Sequence, residues 1–313
     1  MNLFSKRKKD GWLALAPMPD GVCVAHIAHS TSGKPRVAYC EYRRERLEND
    51  DDLKSLSADL ELKKHHCTTL LNSNEYQLLQ VEAPKVPAGE IKQAVRWQLK
   101  ELIDYSVDNA TIDVLDIPPA AGNTTRQHYL YVVAARNDVI RSRIERYMER
   151  NGAGLEAIDI PEMAQRNIAA LLEQQGRGLA TLSFGPTSGL LTFTFAGELY
   201  HARQIDIGLA QFETDDSERQ AALFERVSLE LQRSLDNFER QFPYVSISRL
   251  VLAPFPGREA FREFLHSYLY LQVDTFELSD IFDFDQAVRL GDPAMQASLL
   301  PVLGAALREG KPV

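Results

Sequence analysis

Three short apolar runs joined by tight turns occur twice in this chain of 313 residues, and this repeated pattern constrains the fold more than any other feature. The first group covers residues 11–16, 22–28 and 34–42, and the second covers 179–184, 189–195 and 198–205. Apolar alternation bounded by Gly, Pro, Asp and Ser predicts strands joined by short turns. Each group therefore predicts a small antiparallel sheet, and together they predict a duplicated subdomain.

A mixed pattern fills the chain between the two groups. Strand-like runs at 68–71, 76–81, 110–117 and 128–135 alternate with predicted helices at 89–105 and at 137 or 138 to 150. In the second helix, the apolar residues Val139, Ile140, Ile144, Tyr147 and Met148 are expected to face inward. We interpret residues 67–159 as a compact α+β insertion.

The remaining elements complete the architecture. Predicted helices cover residues 52–64, 161–175, 215–242, 258–268 and 295–308, and further strands cover 249–252 and 273–276. Each three-strand group thus leads into a β-β-β-α-β-α unit, which is the α/β architecture of actin, Hsp70 and the sugar kinases. We expect a first subdomain at 1–66, the insertion at 67–159, and a second half at 160–313 whose last helix returns to the first subdomain.

Composition excludes several classes of protein. Lys and Arg number 35 against 44 Asp and Glu, and the net charge of −9 argues against a uniformly basic nucleic-acid binder. No apolar run approaches the roughly 20 residues that cross a bilayer. Three cysteines suit a reducing compartment, so we expect a cytoplasmic protein. The cations from Lys6 to Lys9 are interpreted either as a solvated terminus or as a contact with an anionic membrane leaflet.

Four ordered motifs resemble those of one known family. Residues 94–105, AVRWQLKELIDY, resemble "AIRWEAEQYIPF", and Asp113 lies in the strand that follows. Residues 132–135 and 151–159 resemble "LLVAAPK…AGLKPVAIDVE", residues 230–235 resemble "EIQRSLDF", and residues 302–308 resemble "AVGLALR". The chain therefore resembles, nearly end to end, the PilM-like proteins of type IV pilus assembly, in particular the branch that serves the mannose-sensitive haemagglutinin pilus.

The resemblance implies both a fold and a partner. The fold would be the FtsA-type variant of the actin-like ATPase fold, with the insertion as the subdomain called 1C. The function would be that of a cytoplasmic scaffold, peripheral at the inner membrane, which binds the cytoplasmic N-terminal tail of a PilN-like single-span protein and links it to the assembly ATPase. We expect the tail to dock as an extended segment between the insertion and the first subdomain.

The nucleotide loops of the family are altered in this sequence. Ala14 and Ala16 replace the residues of "GIDIGSSSVK" that hold a metal-bound water and the phosphates, and prolines follow them. The second loop has Ser183 for the acid of "DIGAST" but keeps Gly185, and Pro254 and Phe255 replace small residues of "LSGGGA". We therefore expect no cofactor, no metal and no catalysis. An ATP-binding switch of the same family remains the alternative, and a sugar or acetate kinase is a third class.

The candidate partner surface is the helix at 89–105, with Arg96, Trp97 and Lys100 as its residues. Trp and Arg are common anchors of protein interfaces. The alternative for Trp97 is that its ring packs beneath the sheet of the insertion. Arg96 is expected to be a surface charge whose reversal barely affects folding.

Three groups of metal-ligating residue types are interpreted as structural. Cys23, His26 and His29 would diverge on a strand, which does not suit a common ligand. The run from His65 to Cys67 lacks a fourth ligand. Asp280, Asp283 and Asp285 lack the glycine and the terminal glutamate of a calcium loop, so a solvated acidic loop is favoured.

Overall fold

The computed structural model describes residues 8–28, 33–119, 128–150, 154–214 and 216–308. The strands are β1 Trp12–Met18, β2 Gly21–Ala28, β3 Arg36–Arg43, β4 His66–Leu70, β5 Tyr76–Glu82, β6 Ala110–Ile117, β7 Tyr129–Arg136, β8 Leu155–Asp159, β9 Gly178–Phe184, β10 Gly189–Phe195, β11 Glu198–Ile205, β12 Ile247–Leu252, β13 Gln272–Thr275 and β14 Asp283–Phe284. The helices are α1 Asp50–Asp59, α2 Ile91–Leu99, α3 Asn137–Ile144, α4 Pro161–Leu172, α5 Ser217–Gln241, α6 Arg258–Tyr268, α7 Leu278–Ile281 and α8 Pro293–Ala306. A π-helical turn, Glu145–Arg150, continues α3.

Two large sheets share one strand order, which confirms the duplicated β-β-β-α-β-α pattern. The first sheet runs β14-β3-β2-β1-β4-β8, and the second runs β11-β10-β9-β12-β13. In the first sheet β1 pairs antiparallel with β2 and parallel with β4, and in the second β9 pairs in the same way with β10 and β12. A third, antiparallel sheet, β5-β7-β6, belongs to the insertion.

The pairing of the strands favours a smaller insertion than residues 67–159. Strand β4 pairs with β1, and β8 pairs with β4, so both complete the first sheet although they lie within the predicted insertion. Strand β14, which comes from the second half of the chain, pairs with β3 at the opposite edge. We propose that the insertion spans about residues 71–154, between β4 and β8.

The core between the two halves is built around α8 and α4. Helix α8 lies against the first sheet, where Ala14, Ala25 and Cys40 belong to the same buried cluster as Leu299 and Leu303. Small side chains on the sheet let the helix approach closely. The last helix of the chain therefore packs on the first subdomain.

Helices α1 and α2 end well before the residues that the sequence predicts. Helix α1 ends at Asp59, and Glu61 then takes a left-handed conformation with φ of 51°. At its start, the side chain of Asn49 accepts hydrogen bonds from the backbone N–H groups of Asp51 and Asp52. Helix α2 ends at Leu99, so residues 100–105, which the sequence predicts as its continuation, are not helical.

Candidate functional site

The cleft between the two halves holds a cavity of about 170 Å³. Three of the predicted nucleotide-loop residues, Ala16, Ser183 and Gly185, line this cavity. Ala14 does not line it, because it is fully buried in β1 beneath α8. The structure thus brings the first two loops together across the cleft.

The backbone of the second loop is engaged within the protein. The N–H of Gly185 donates to the carbonyl of Ser188 at 2.8 Å, and the carbonyl of Gly185 accepts from Leu209 at 2.9 Å. Pro186 follows and has no N–H group. Gly185 and Pro186 therefore offer no free backbone donor to a phosphate.

The third loop is filled by aromatic rings. Phe255 is buried, and its ring centroid lies 5.0 Å from that of Phe184 and 4.9 Å from that of Phe212. These distances are typical of packed aromatic pairs. Phe255 does not line the cavity, and neither does Pro254, so the third predicted loop contributes core packing rather than a cleft surface.

Polar side chains of α4 close the floor of the cleft. The amide nitrogen of Gln165 donates to the Thr181 carbonyl at 2.8 Å and to the Thr192 hydroxyl at 3.0 Å, and its oxygen accepts from Ser183. Glu162 is buried and accepts a hydrogen bond from the Tyr76 hydroxyl. Burial raises the pKa of the Glu162 carboxyl, which favours its protonated form. These side chains therefore already have partners within the protein.

A second, wider depression lies between the insertion and the first sheet, and we call it the groove. Its cavity measures about 340 Å³ and is lined by β6, β7, β8 and α3 with the π-helical turn. Ile140, Ile144 and Met148 form one apolar side of it. Ile144 is 40% exposed and Met148 is 48% exposed, which is high for large apolar side chains.

Two sheet edges flank the groove. Strand β6 is the outer strand of the third sheet, and β8 is the outer strand of the first sheet. Among the described strands, none pairs with the outer side of either. An unpaired edge presents backbone donors and acceptors that can accept an added strand. The groove therefore combines an apolar surface with two edges that can bind an extended segment.

The groove continues towards α4 into a cavity of about 250 Å³ that shares Asp113, Val133 and Ile158 with it. Arg166 and Arg308 line this end. Arg308 donates to the carboxylate of Asp159 at 2.9 Å. Burial raises the pKa of Asp159 while the Arg308 charge opposes that rise. The groove thus changes from apolar to charged along its length.

The structure does not bring the three predicted partner residues to the groove. Helix α2 packs through Val95 and Leu99 on the face of the third sheet that carries Val132 and Ala134. The groove lies on the other face, which carries Val133 and Ala135. Because neighbouring strand residues point to opposite faces, Arg96, Trp97 and Lys100 belong to a separate surface.

Trp97 is an exposed residue, so the alternative that its ring packs beneath the sheet is wrong. Its side chain is 67% exposed, and the ammonium of Lys100 lies 3.8 Å from the ring centroid. Arg96, by contrast, is half-buried and donates to the carbonyls of Val107 at 2.6 Å and Ala110 at 3.3 Å. The expectation that Arg96 is a simple surface charge is therefore also wrong.

The residues that form the apolar side of the groove were assigned to the core by the sequence analysis. Ile140, Ile144 and Met148 are spaced by four and therefore share one face, whereas Tyr147, which is buried, lies on another. The sequence does carry one sign of an exposed apolar face: this helix has more apolar residues than one buried face requires. The local sequence does not show which apolar face of the helix stays exposed.

The metal-ligating groups occupy structural positions. The ring of His26 lies 4.5 Å from that of His65, and burial raises the pKa of the Cys23 thiol to about 12. His29 lies outside the described residues.

The acidic group is also structural. Asp280 caps α7 together with Glu277, and Asp285 pairs with Arg36. Among the described residues, no group of three or more His, Cys, Asp or Glu side chains could hold a metal ion.

The paired sheets, the helices between them and the central cleft define an actin-like ATPase fold with an α+β insertion. A chain of the PilM–PilN type IV pilus biogenesis complex has this fold, with a TM-score of 0.71 at 17% identity over 96% of this chain and 98% of that one. So does the cytoplasmic domain of EpsL, an inner membrane component of the type II secretion system of Vibrio cholerae, with a TM-score of 0.52 at 11% identity over 96% of this chain and 97% of that one.

A protein of Bacteroides thetaiotaomicron with an actin-like ATPase fold and unknown function has a TM-score of 0.50 at 10% identity, over 96% of this chain and 98% of that one. No protein-family model matches the sequence, and no curated protein matches it. Within the part of the chain that the structure describes, no helix has both the length and the apolar character needed to cross a membrane.

Proposed function

We propose that this protein is a non-catalytic cytoplasmic scaffold of type IV pilus assembly, peripheral at the inner membrane, and that its groove binds the cytoplasmic tail of a PilN-like protein. The observation that carries the proposal is the groove itself, in which an apolar surface lies between the unpaired edges of β6 and β8. The sequence resemblance and the similarity to a chain of the PilM–PilN complex support the choice of partner.

The groove favours an extended partner segment. Backbone groups of the segment would pair with one of the two free edges, and alternate side chains would enter the apolar side near Ile144 and Met148. A short tail can bind in this way because main-chain hydrogen bonds supply affinity and the pockets supply specificity. Binding of the tail would hold the scaffold against the membrane platform and link that platform to the assembly ATPase.

The cleft supports a scaffold rather than an enzyme. Ala14 has no side-chain oxygen for a metal-bound water, and the loop after Ser183 uses its backbone donor internally. Phosphoryl transfer requires positioned metal and charge to stabilise its transition state. The alternative, an ATP-binding switch, would need phosphate contacts that Gly185 and Pro186 do not provide.

The finer assignment rests on the sequence resemblance alone. The order and spacing of the four motifs resemble those of MshI, the biogenesis protein of the mannose-sensitive haemagglutinin pilus. We therefore propose that pilus as the assembly this scaffold serves. Arg96, Trp97 and Lys100 remain proposed partner residues, now as a second contact surface on the far side of the third sheet.

A matched pair of charge substitutions tests the groove. Ile144 is exposed within the groove, and Leu102, 50% exposed, lies beyond α2 and outside it. A fluorescent peptide with the first ten residues of the PilN-like protein of the same bacterium is titrated with each variant. We expect Ile144→Asp to weaken binding by about tenfold or more, because a carboxylate would face an apolar contact.

We expect Leu102→Asp to bind as the wild type does, and melting curves establish that both variants are folded. Equal affinities of wild type and Ile144→Asp would remove the groove from the site. Trp97→Ala in the same titration separates the two surfaces, since only a peptide that contacts α2 would lose affinity.

A further inference from the structure

The described chain begins next to the groove, where it is held by two lysines. The ammonium of Lys8 forms an ion pair with the carboxylate of Glu156. The backbone N–H of Lys9 donates to the Lys64 carbonyl at 2.6 Å, and the Lys9 ammonium lies 3.4 Å from the carboxylate of Glu61. These contacts fix the point at which the preceding residues leave the fold.

Glu156 belongs to one wall of the groove. It lies in β8, at the place where the pairing shifts from Cys67 opposite Leu155 to Thr68 opposite Ala157, so it is the extra residue of a β-bulge. Its carboxylate also lies 2.9 Å from Nδ1 of His66, and its side chain is only 17% exposed. Lys8 is therefore anchored on the strand whose outer edge flanks the groove.

Residues 1–7 precede this anchor and lie outside the described residues. Their sequence is MNLFSKR, which places the apolar pair Leu3 and Phe4 before the basic residues. Seven residues in extended form reach about 23 Å, whereas the five residues of β8 span about 17 Å. The segment is thus long enough to follow the whole free edge of β8, and it carries apolar side chains of the kind that the groove accepts.

We propose that residues 1–7 bind the groove of their own chain and compete there with an external segment. The segment would run antiparallel to β8, because its carboxyl end is fixed by Lys8 at the amino end of that strand. Leu3 or Phe4 would contact the apolar side formed by Ile144 and Met148. The regulatory consequence rests on the proposed function, whereas binding of the segment to the groove does not.

Tethering makes such a competitor effective even when its intrinsic affinity is low. A short flexible tether gives an effective concentration in the millimolar range. If the groove is occupied by its own segment in about two thirds of the molecules, an external ligand binds about threefold more weakly than to a free groove. The segment would therefore set a threshold for partner binding rather than prevent it.

The test uses a peptide of this chain as the probe. A fluorescent peptide of residues 1–9, MNLFSKRKK, is titrated with the full chain and with a variant in which Met1 is followed directly by Lys8. We expect the shortened chain to bind the peptide at least about threefold more tightly than the full chain. Melting curves of both chains confirm that the fold persists.

Two further variants locate the binding. Within the peptide, replacement of Leu3 and Phe4 by Ser should abolish binding, whereas replacement of Lys6 and Arg7 by Ser should weaken it less. In the shortened chain, Ile144→Asp should remove binding and Leu102→Asp should not. Failure of the peptide to bind the shortened chain, equal binding to both chains, or indifference to Ile144→Asp would each overturn the proposal.

Titrations of the full and the shortened chain also distinguish failure of this proposal from failure of the proposed function. If the PilN-like peptide binds neither chain while the peptide of residues 1–9 binds the shortened one, the proposed partner is wrong and the internal competitor stands. If the PilN-like peptide binds both chains with equal affinity, the groove has a partner but no internal competitor.

Discussion

The cleft and the groove are both depressions between packed units, yet their polar groups are used in opposite ways. In the cleft, Gln165 and the backbone of Gly185 are engaged in hydrogen bonds within the protein, and a cavity of about 170 Å³ remains. In the groove, of about 340 Å³, two strand edges remain unpaired and large apolar side chains remain exposed. Small-molecule sites usually occupy 300–1,000 Å³. The comparison is consistent with our proposal that a partner segment binds in the groove.

The insertion also forms hydrogen bonds with the second half of the molecule. The hydroxyl of Tyr131 in β7 donates to the Tyr200 carbonyl at 3.3 Å and accepts from the Ala202 N–H at 3.2 Å. The Tyr244 hydroxyl donates to the Pro118 carbonyl at 3.3 Å. Tyrosine side chains from both the insertion and the second half therefore join these two parts of the molecule away from the cleft.

The largest expected effect concerns the helix packing beneath the cleft. In α8, a Cβ atom at Gly304 would lie 2.1 Å from the Ala164 carbonyl oxygen of α4, which is far inside van der Waals contact. Alanine is otherwise preferred to glycine in a helix by about 1 kcal/mol. We expect Gly304→Ala to lower the free energy of unfolding by about 2 kcal/mol or more, because the two helices must separate.

Urea denaturation followed by circular dichroism measures this loss. Gly89→Ala is the matched control, since a Cβ there would have no heavy atom within 4 Å. An unchanged midpoint for Gly304→Ala would mean that α4 and α8 adjust without cost. Tight helix packing would then not be a property in which the cleft differs from the groove.

The next effect separates two neighbouring residues of α2, Arg96 and Trp97. We expect Arg96→Glu to cost about 1–2 kcal/mol, because it removes charged hydrogen bonds to the carbonyls of Val107 and Ala110. We expect Trp97→Ala to cost less than about 1 kcal/mol, since the ring is exposed and loses mainly its contact with Lys100.

Urea midpoints of the two variants measure the order, and Gln93→Ala on an exposed position of the same helix is the control. A larger loss for Trp97→Ala would show that this ring supports the insertion. The α2 surface would then be a structural face, and the groove alone would remain as a binding surface.

The sequence predicted the duplicated sheets because the information was local. Alternating apolar residues and the Gly and Pro turns fix strands such as β9 and β10 within a few neighbours, and their predicted bounds agree with the structure to within a residue. Strand β8 was not predicted as a strand, and β14 has two residues that pair with β3 from the far end of the chain. Pairing between strands that lie far apart in the sequence leaves no local sequence pattern.

The candidate site was less predictable than the fold. Two facing loops of the cleft followed from the resemblance, but the groove depends on how the third sheet packs against β8, which no local motif encodes. For Trp97, the sequence left two interpretations open, an interface anchor or a ring packed beneath the sheet. Whether another element covers such a position is decided by tertiary packing.

A smaller effect concerns the pH dependence that the cleft contributes. Burial raises the pKa of Glu162 in the folded state above its unfolded value, so the folded protein binds more protons between those two pKa values. The free energy of unfolding contributed by this group therefore decreases as pH rises above about 4.3. We expect Glu162→Gln, which can still accept the Tyr76 hydrogen bond, to gain stability relative to wild type as pH rises above that value.

Urea denaturation of both proteins at several pH values measures the difference in their free energies of unfolding. Contributions of the other titrating groups cancel in this difference. Glu101→Gln, at an exposed position after α2, is the control and should leave the difference constant. A difference between Glu162→Gln and wild type that does not change with pH would show that Glu162 is ionised at no cost. The cleft would then be more open to water than its packing indicates.

The last prediction is that nucleotide has no effect on stability, and it tests the comparison of the cleft with the groove most directly. We expect millimolar ATP or ADP with Mg²⁺ to leave the melting temperature unchanged, because Ala14, Ser183 and Phe255 replace the metal and phosphate contacts. A ligand at 100 times its dissociation constant would add about 2.7 kcal/mol of stability, so binding in the micromolar range could not escape detection. Calorimetric binding of ATP that Gly185→Trp abolishes would place a working nucleotide site in the cleft, and the ATP-binding switch would then replace the scaffold as the better account.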